Sequence, residues 1–166
     1  MNKIIRPEDI TIRTELHPGD LGYIAYLHGI LYSDEYGYGS GFEVYVASGL
    51  VEFYKQFDPH RDCVWICEHN QAIIGFLLIM HRESSAQLRF FVIHPDYRGI
   101  GLGNRLMKLF MDFLKNHDYT SAFLWTTNEL PTAAHLYKKY GFTLSEELPS
   151  THLGKATIEQ RYDLKL

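Results

Sequence analysis

The stretch HPDYRGIGLGNRL, residues 94–106, decides the reading of this chain. It sets glycines at alternate positions, Gly99, Gly101 and Gly103, behind Arg98 and just ahead of a helical pattern. Each glycine weakens a helix by about 1 kcal/mol relative to alanine. Three at a helix start therefore point to something that must approach the backbone closely. The first N–H groups of a helix lack internal partners, and the helix dipole favours an anion beside them. Without Cβ atoms, the glycines let phosphate oxygens reach those donors. A Walker loop would need Gly-Lys-Ser/Thr at its end, and none follows. A dinucleotide fingerprint would follow its strand directly and carry glycine where Asn104 stands. The pattern that remains is R-x-x-G-x-G, Arg98, Gly101 and Gly103, which suits a pyrophosphate; an ordinary glycine-rich cap is the structural alternative.

Outward from this loop, the chain alternates strands and helices. Upstream, CVWICEH, AIIGFLLIMH and SAQLRFFVI read as strands, the first two joined by an Asn70-Gln71 turn. Further back, ITIRTEL alternates like a strand, GDLGYIAYLHGILY carries apolar residues at helical spacing, and FEVYVASGLVEFYKQF reads as a second helix. DEYGYGSG between those helices reads as a loop. Downstream, Leu102, Leu106, Leu109, Phe110, Phe113 and Leu114 form the stripe of an amphipathic helix. SAFLWTT is a strand, PTAAHLYKKY a helix opened by proline and stopped by Gly141, and FTLSEEL and KATIEQRYDLKL are two more strands. The expected class is α/β, with a mixed, mainly antiparallel sheet of about six to seven strands flanked by about four helices.

The chain has 166 residues, 46% hydrophobic and 22% charged, which favours one domain over residues 1–166. A formal charge of −4 argues against a nucleic-acid partner. The run AIIGFLLIM falls far short of the ~20 residues a bilayer span needs, and MNKIIRPEDI has neither the apolar stretch nor the cleavage site of a leader. A cytoplasmic location is expected, with Cys63 and Cys67 as small core thiols. The nine histidines show no ligand spacing, so no metal is expected.

Two motifs together resemble a known family. VIHPDYRGIGLGNRLM is similar to the acetyl-CoA motif of the GNAT superfamily of N-acetyltransferases, and AAHLYKKYGF, residues 133–142, resembles that family's second motif. The stretches GDLGYIAYLHGILYSDEYGYGSGFEVYVA, FDPHRDCVWI, AQLRFFVIHP and LWTTNELPTAAHLYKKYGF further resemble the acetyltransferase half of MarR–GNAT fusion proteins, whose winged-helix half is not found in these residues.

The resemblance implies an acetyl-CoA-dependent transfer to a primary amine, on a small molecule, an amino acid or a peptide. Main-chain groups of Phe91, Val92 and Ile93 would pair with the pantetheine arm as an added strand does. Arg98, Gly99, Ile100, Gly101, Leu102, Gly103 and Asn104 would hold the pyrophosphate. Tyr137 matches the family tyrosine that faces the departing sulfur, and Asn128 is a weaker match to a family asparagine. Many relatives carry a glutamate as general base where this chain has AQLRFF; Gln87 cannot take a proton and Arg89 is cationic. A water chain, or Glu35, Glu43 or Glu83, remains open as the base. For the acceptor, Glu35, Tyr36 and Glu43 in a glycine-rich loop would attract a cationic amine. The alternative is a catalytically silent CoA-binding module. A homodimer is the commonest assembly for such domains.

Overall fold

The run AIIGFLLIMHR forms the longest strand, β3 (Ala72–Arg82), of a computed structural model that describes residues 5–166. Residues 1–4, the start of the segment read as holding no leader, lie outside that range. A strand covered on both faces needs apolar side chains at every position. Leu77 and Ile79 enter one core cluster, while Phe76, Leu78 and Met80 enter the other. β2 (Cys63–His69) and β4 (Ser85–Ile93) flank it, both antiparallel. Asn70 and Gln71 take φ of +50° and +67°, the geometry that matches the twist of a two-residue hairpin.

β1 (Thr11–Arg13), β5 (Ser121–Thr127), β6 (Thr143–Ser150) and β7 (Thr157–Lys165) complete a seven-stranded sheet in the order β1-β2-β3-β4-β5-β7-β6. β4 and β5 are its parallel pair; the other neighbours run antiparallel. Helices α1 (Asp20–Tyr36) and α2 (Ser40–Gln56) pack on one face. On the other lie α3 (Leu102–Asn116) and α4 (Pro131–Lys139). The expected class, sheet and four helices are all found.

One local expectation is corrected. DEYGYGSG is not a loop: α1 runs on to Tyr36 and α2 starts at Ser40, leaving residues 37–39 between them. Aromatic packing overrides the weak helix propensity of the stretch. Tyr32 stacks on Phe42 at 4.2 Å and meets Tyr36 at 5.4 Å, and Tyr38 is buried beside them. Gly37, at φ +71°, then ends α1 in the left-handed conformation that glycine adopts freely. At its other end α1 is fixed by Asp20, a buried carboxylate that accepts two hydrogen bonds from Arg13, each of 2.8 Å. Cys63 and Cys67 are free thiols on the α3 side, pushed up by burial to about 11 and about 12.

Candidate active site

The parallel pairing of β4 with β5 covers only Ala86–Ala122 and Gln87–Phe123. Beyond it the strands part. The cause lies in β4: Arg89 pairs with Leu78 and Val92 with Phe76, so Phe90 and Phe91 share one position opposite Leu77. Such a bulge bends a strand and re-aims its side chains. Phe90 sits at φ +55°, a conformation rare for an aromatic residue and one that concentrates at functional sites. α2 approaches this bulge closely at Gly49, where a Cβ would lie 2.3 Å from Phe90 Cζ and 2.7 Å from Arg89 Nη2.

The gap between the strands opens a cleft of about 680 Å³, lined by α1, α2, β4, β5, α4 and the glycine loop. At one end stands the start of α3. Gly101, at φ +92°, precedes the helix without a side-chain cap. Its carbonyl accepts the first helical bond, from Arg105 N–H. The N–H groups of Gly101, Leu102, Gly103 and Asn104 find no acceptor among the described residues. Gly99 has open space where a Cβ would be. Backbone donors with a clear approach at a helix N-terminus fit an anion such as a pyrophosphate. Lys139 Nζ donates to Asn104 Oδ1 at 2.7 Å, placing a cation at the same end.

Most of the residues singled out in the sequence meet at this cleft. Phe91, Val92, Ile93, Arg98, Gly99, Gly101, Gly103, Asn104, Tyr36 and Tyr137 line it. Ile100 and Leu102 turn their side chains into the α3 core. Asn128 lies exposed outside the lining, donating its N–H to the Ile158 carbonyl. The two acids expected to meet an amine are not in the cleft. Glu35 spends both carboxylate oxygens on Arg98, at 2.7 and 2.8 Å, and Glu43 packs against Gly29 between the helices. Arg98 Nε also donates to the Ile93 carbonyl at 2.9 Å.

Tyr137 is buried, and burial holds its phenol well above the usual range, so it stays protonated. Tyr32 from α1 lines the same cleft and is raised in the same way by burial and by the nearby Tyr137. His28 lies beneath it, with Nδ1 hydrogen-bonded to the Ile24 carbonyl at 2.8 Å. Burial pushes His28 down to about 4, so its ring is neutral and Nε2 is a bare acceptor. Glu159 on β7 and Arg89 on β4 also line the cleft. Sequence reasoning missed Tyr32, His28 and Glu159. The signal available was the spacing of His28, Tyr32 and Tyr36 on one helix face, which becomes visible once α1 is extended. Among the described residues no group of three or more His, Cys, Asp or Glu could hold a metal ion, and no helix is long and apolar enough to cross a membrane.

Comparison with known proteins bears on this site. The sequence profile of the acetyltransferase (GNAT) family matches residues 23–142. The spermidine N(1)-acetyltransferase of Escherichia coli (strain K12) is 28% identical over 132 residues, covering 78% of this chain and 70% of that protein. An acetyltransferase from Streptococcus agalactiae 2603 superposes with a TM-score of 0.78 at 20% identity, over 96% of this chain and 99% of that one. The spermidine N-acetyltransferase from Vibrio cholerae, solved in complex with CoA and spermine, gives a TM-score of 0.65 at 22% identity, over 95% and 96% of the two chains. These likenesses to solved structures are ones of fold.

Proposed function

The chain belongs to the acetyltransferase (GNAT) family, and on that premise we propose that it transfers an acetyl group from acetyl-CoA to a primary amine within one ternary complex. The observation that carries this reading is the parting of β4 from β5 beside the unpartnered N–H groups of residues 101–104. It leaves a strand edge and an anion site at one cleft, with a protonated tyrosine in the same lining.

In this reading the N–H groups of the glycine loop hold the pyrophosphate, with Arg98 and Lys139 adding positive charge. Main-chain groups of Phe91, Val92 and Ile93 pair with the pantetheine arm. When bound, acetyl-CoA supplies an acyl thioester: its carbonyl carbon joins the amine nitrogen, the C–S bond breaks, one proton leaves nitrogen and one reaches sulfur. Tyr137 offers its O–H to that sulfur. A free thiol titrates near 8.5 and a phenol near 10, and burial raises Tyr137 further. Hydrogen bonding to the thiolate therefore weighs more than complete proton transfer. The amine must arrive neutral or lose its proton in the cleft, since an ordinary alkylammonium titrates near 10.4. We also propose a single acetyltransferase domain over residues 1–166, akin to the half found in MarR–GNAT fusion proteins and working in a reducing cytoplasm that suits its free thiols.

The test combines two measurements on the whole chain. Acetyl-CoA is expected to raise Tm, since a ligand selective for the native state must do so. A panel of primary amines is expected to drive release of free CoA thiol. A rise in Tm with no thiol release from any amine would identify a silent CoA-binding module instead.

A further inference from the structure

Away from the glycine loop the cleft runs between β4, β7 and the helices α1 and α2, and its walls there carry opposite charges. The Arg89 side chain is only 13% exposed. Its Nη1 donates to Glu52 at 3.0 Å, and the same carboxylate also accepts from Arg82. One carboxylate thus serves two guanidinium groups, and a positive charge is left over in a partly dry wall. Arg89 Nε is buried with no partner, and the guanidinium lies 5.4 Å from the Tyr45 ring and 4.6 Å from the Phe90 ring. A buried donor left unspent is costly unless something arrives to take it.

The other wall is the reverse. Glu159 is 6% exposed, paired in register with Thr127 across β5 and β7. One of its oxygens lies 3.1 Å from His152 Nδ1, and among the described residues no Lys or Arg is paired with it. His28, 2% exposed, lines the same space and has Nε2 without a partner. A negative group and a neutral acceptor therefore stand ready for an ammonium or amine N–H. A second cation in this part of the cleft would meet Arg89.

We propose that the acceptor carries a carboxylate as well as its reacting amine, as an amino acid or a short peptide does, with Arg89 binding the carboxylate and Glu159 facing the ammonium. A guanidinium takes a carboxylate through two parallel hydrogen bonds, a fit no amine can make. This rests on the acetyltransferase reading above and narrows its acceptor. It also sets this chain apart from relatives named for spermidine, which has no carboxylate.

The experiment measures thiol release from acetyl-CoA with matched acceptors: leucine against 3-methylbutylamine, a dipeptide against its C-terminal amide, and spermidine. The carboxylated member of each pair is expected to have a kcat/KM at least about tenfold higher, the worth of one charge-assisted hydrogen bond. Arg89→Gln should bring that ratio close to one, the carboxylated member losing more than the plain amine. Glu159→Gln should weaken both members and leave their ratio alone. Should Arg89→Gln not fold, Arg89→Lys, which keeps the charge and loses the fork, is expected to cut the ratio at least threefold. A wild-type ratio near one, a preference for spermidine, or an unchanged ratio in a folded Arg89 variant overturns the proposal and leaves acetyl transfer standing. A rise in Tm with acetyl-CoA but no turnover of any acceptor removes the acetyltransferase reading, and this proposal with it.

Discussion

The two ends of the cleft are made of different material. At the α3 end the groups that would meet a ligand are backbone N–H donors of residues 101–104, fixed by the start of one helix. At the α1–α2 end they are side chains, His28, Arg89 and Glu159, drawn from a helix and two strands far apart in the chain. Backbone recognition needs little beyond glycine at the right spacing. Side-chain recognition needs several elements to pack correctly before any site exists. The first end is thus robust to most substitutions and blind to the acceptor, while the second is tunable and can set specificity within an unchanged fold.

The sharpest division between the ends is Tyr137→Phe. It removes the O–H proposed to act on the departing sulfur and no group proposed to hold the pyrophosphate. We expect kcat to fall by about 10²–10⁴-fold, the range of a positioned proton donor, with the acetyl-CoA Kd nearly unchanged. Because burial raises the phenol, no alkaline loss of kcat should arise from Tyr137 below about pH 10. Single-turnover rates and titration calorimetry together check this. Wild-type turnover in the variant would make Tyr137 a core residue.

Gly101→Val tests the backbone end. At φ +92° a β-branched residue is strained by about 1–2 kcal/mol, and relieving that strain would shift the N–H groups that follow it. We expect the acetyl-CoA Kd to rise by about 10–10²-fold in a folded variant, read as a lost Tm shift. Acceptor preference should not move. An unchanged CoA affinity would sink the pyrophosphate loop.

The same contrast explains what was legible in the sequence. The glycine loop, the α3 stripe and the strands Cys63–His69, Ser85–Ile93 and Ser121–Thr127 are local signals, and the structure repeats them. The acceptor end was less legible because its determinants are tertiary. Tyr36 stays helical through Tyr32 and the buried Phe42 cluster, against its own neighbours' propensity. Glu35 looked available because nothing in its own segment shows Arg98, which is 63 residues away and takes both its oxygens. Glu159 sits in an ordinary alternating strand and becomes a cleft residue only when β7 lies beside β5.

Gly49→Ala probes the side-chain end without replacing a ligand-facing group. The added methyl would press on Phe90 Cζ and Arg89 Nη2 at 2.3 and 2.7 Å. Both are far ends of side chains and can shift. Overpacking of about 1–3 kcal/mol is set against about 1 kcal/mol gained in helix propensity. Small misplacements at a site carry large kinetic costs, so acceptor kcat/KM should drop by roughly tenfold while acetyl-CoA affinity holds. Equal losses toward both substrates would mean the two ends are one mechanical unit.

The smallest effect, and the one that joins the ends, concerns Glu35 and Arg98. The Arg98 guanidinium beside Glu35 holds its carboxyl below the ordinary 4.5. A lowered carboxyl stabilises the fold fully above its unfolded value, and that contribution is lost as pH falls through the folded one. The pair sits at the surface, with side chains 41% and 27% exposed, where such pairs are worth about 0.2–1 kcal/mol. If a pyrophosphate must draw Arg98 from Glu35, then Glu35→Gln removes the competitor. We expect the acetyl-CoA Kd to tighten by up to about fivefold at neutral pH, with a stability loss no larger than that pair's worth. Both differences from wild type should shrink as pH falls below the ordinary 4.5 and through the lowered folded value, where Glu35 becomes protonated. Calorimetric titrations at several pH values read the affinity, and thermal melts read the stability. Weaker binding in Glu35→Gln would mean the reverse arrangement: Glu35 orients Arg98 for the ligand, and α1, the helix that carries His28 and Tyr32, helps to build the backbone end as well.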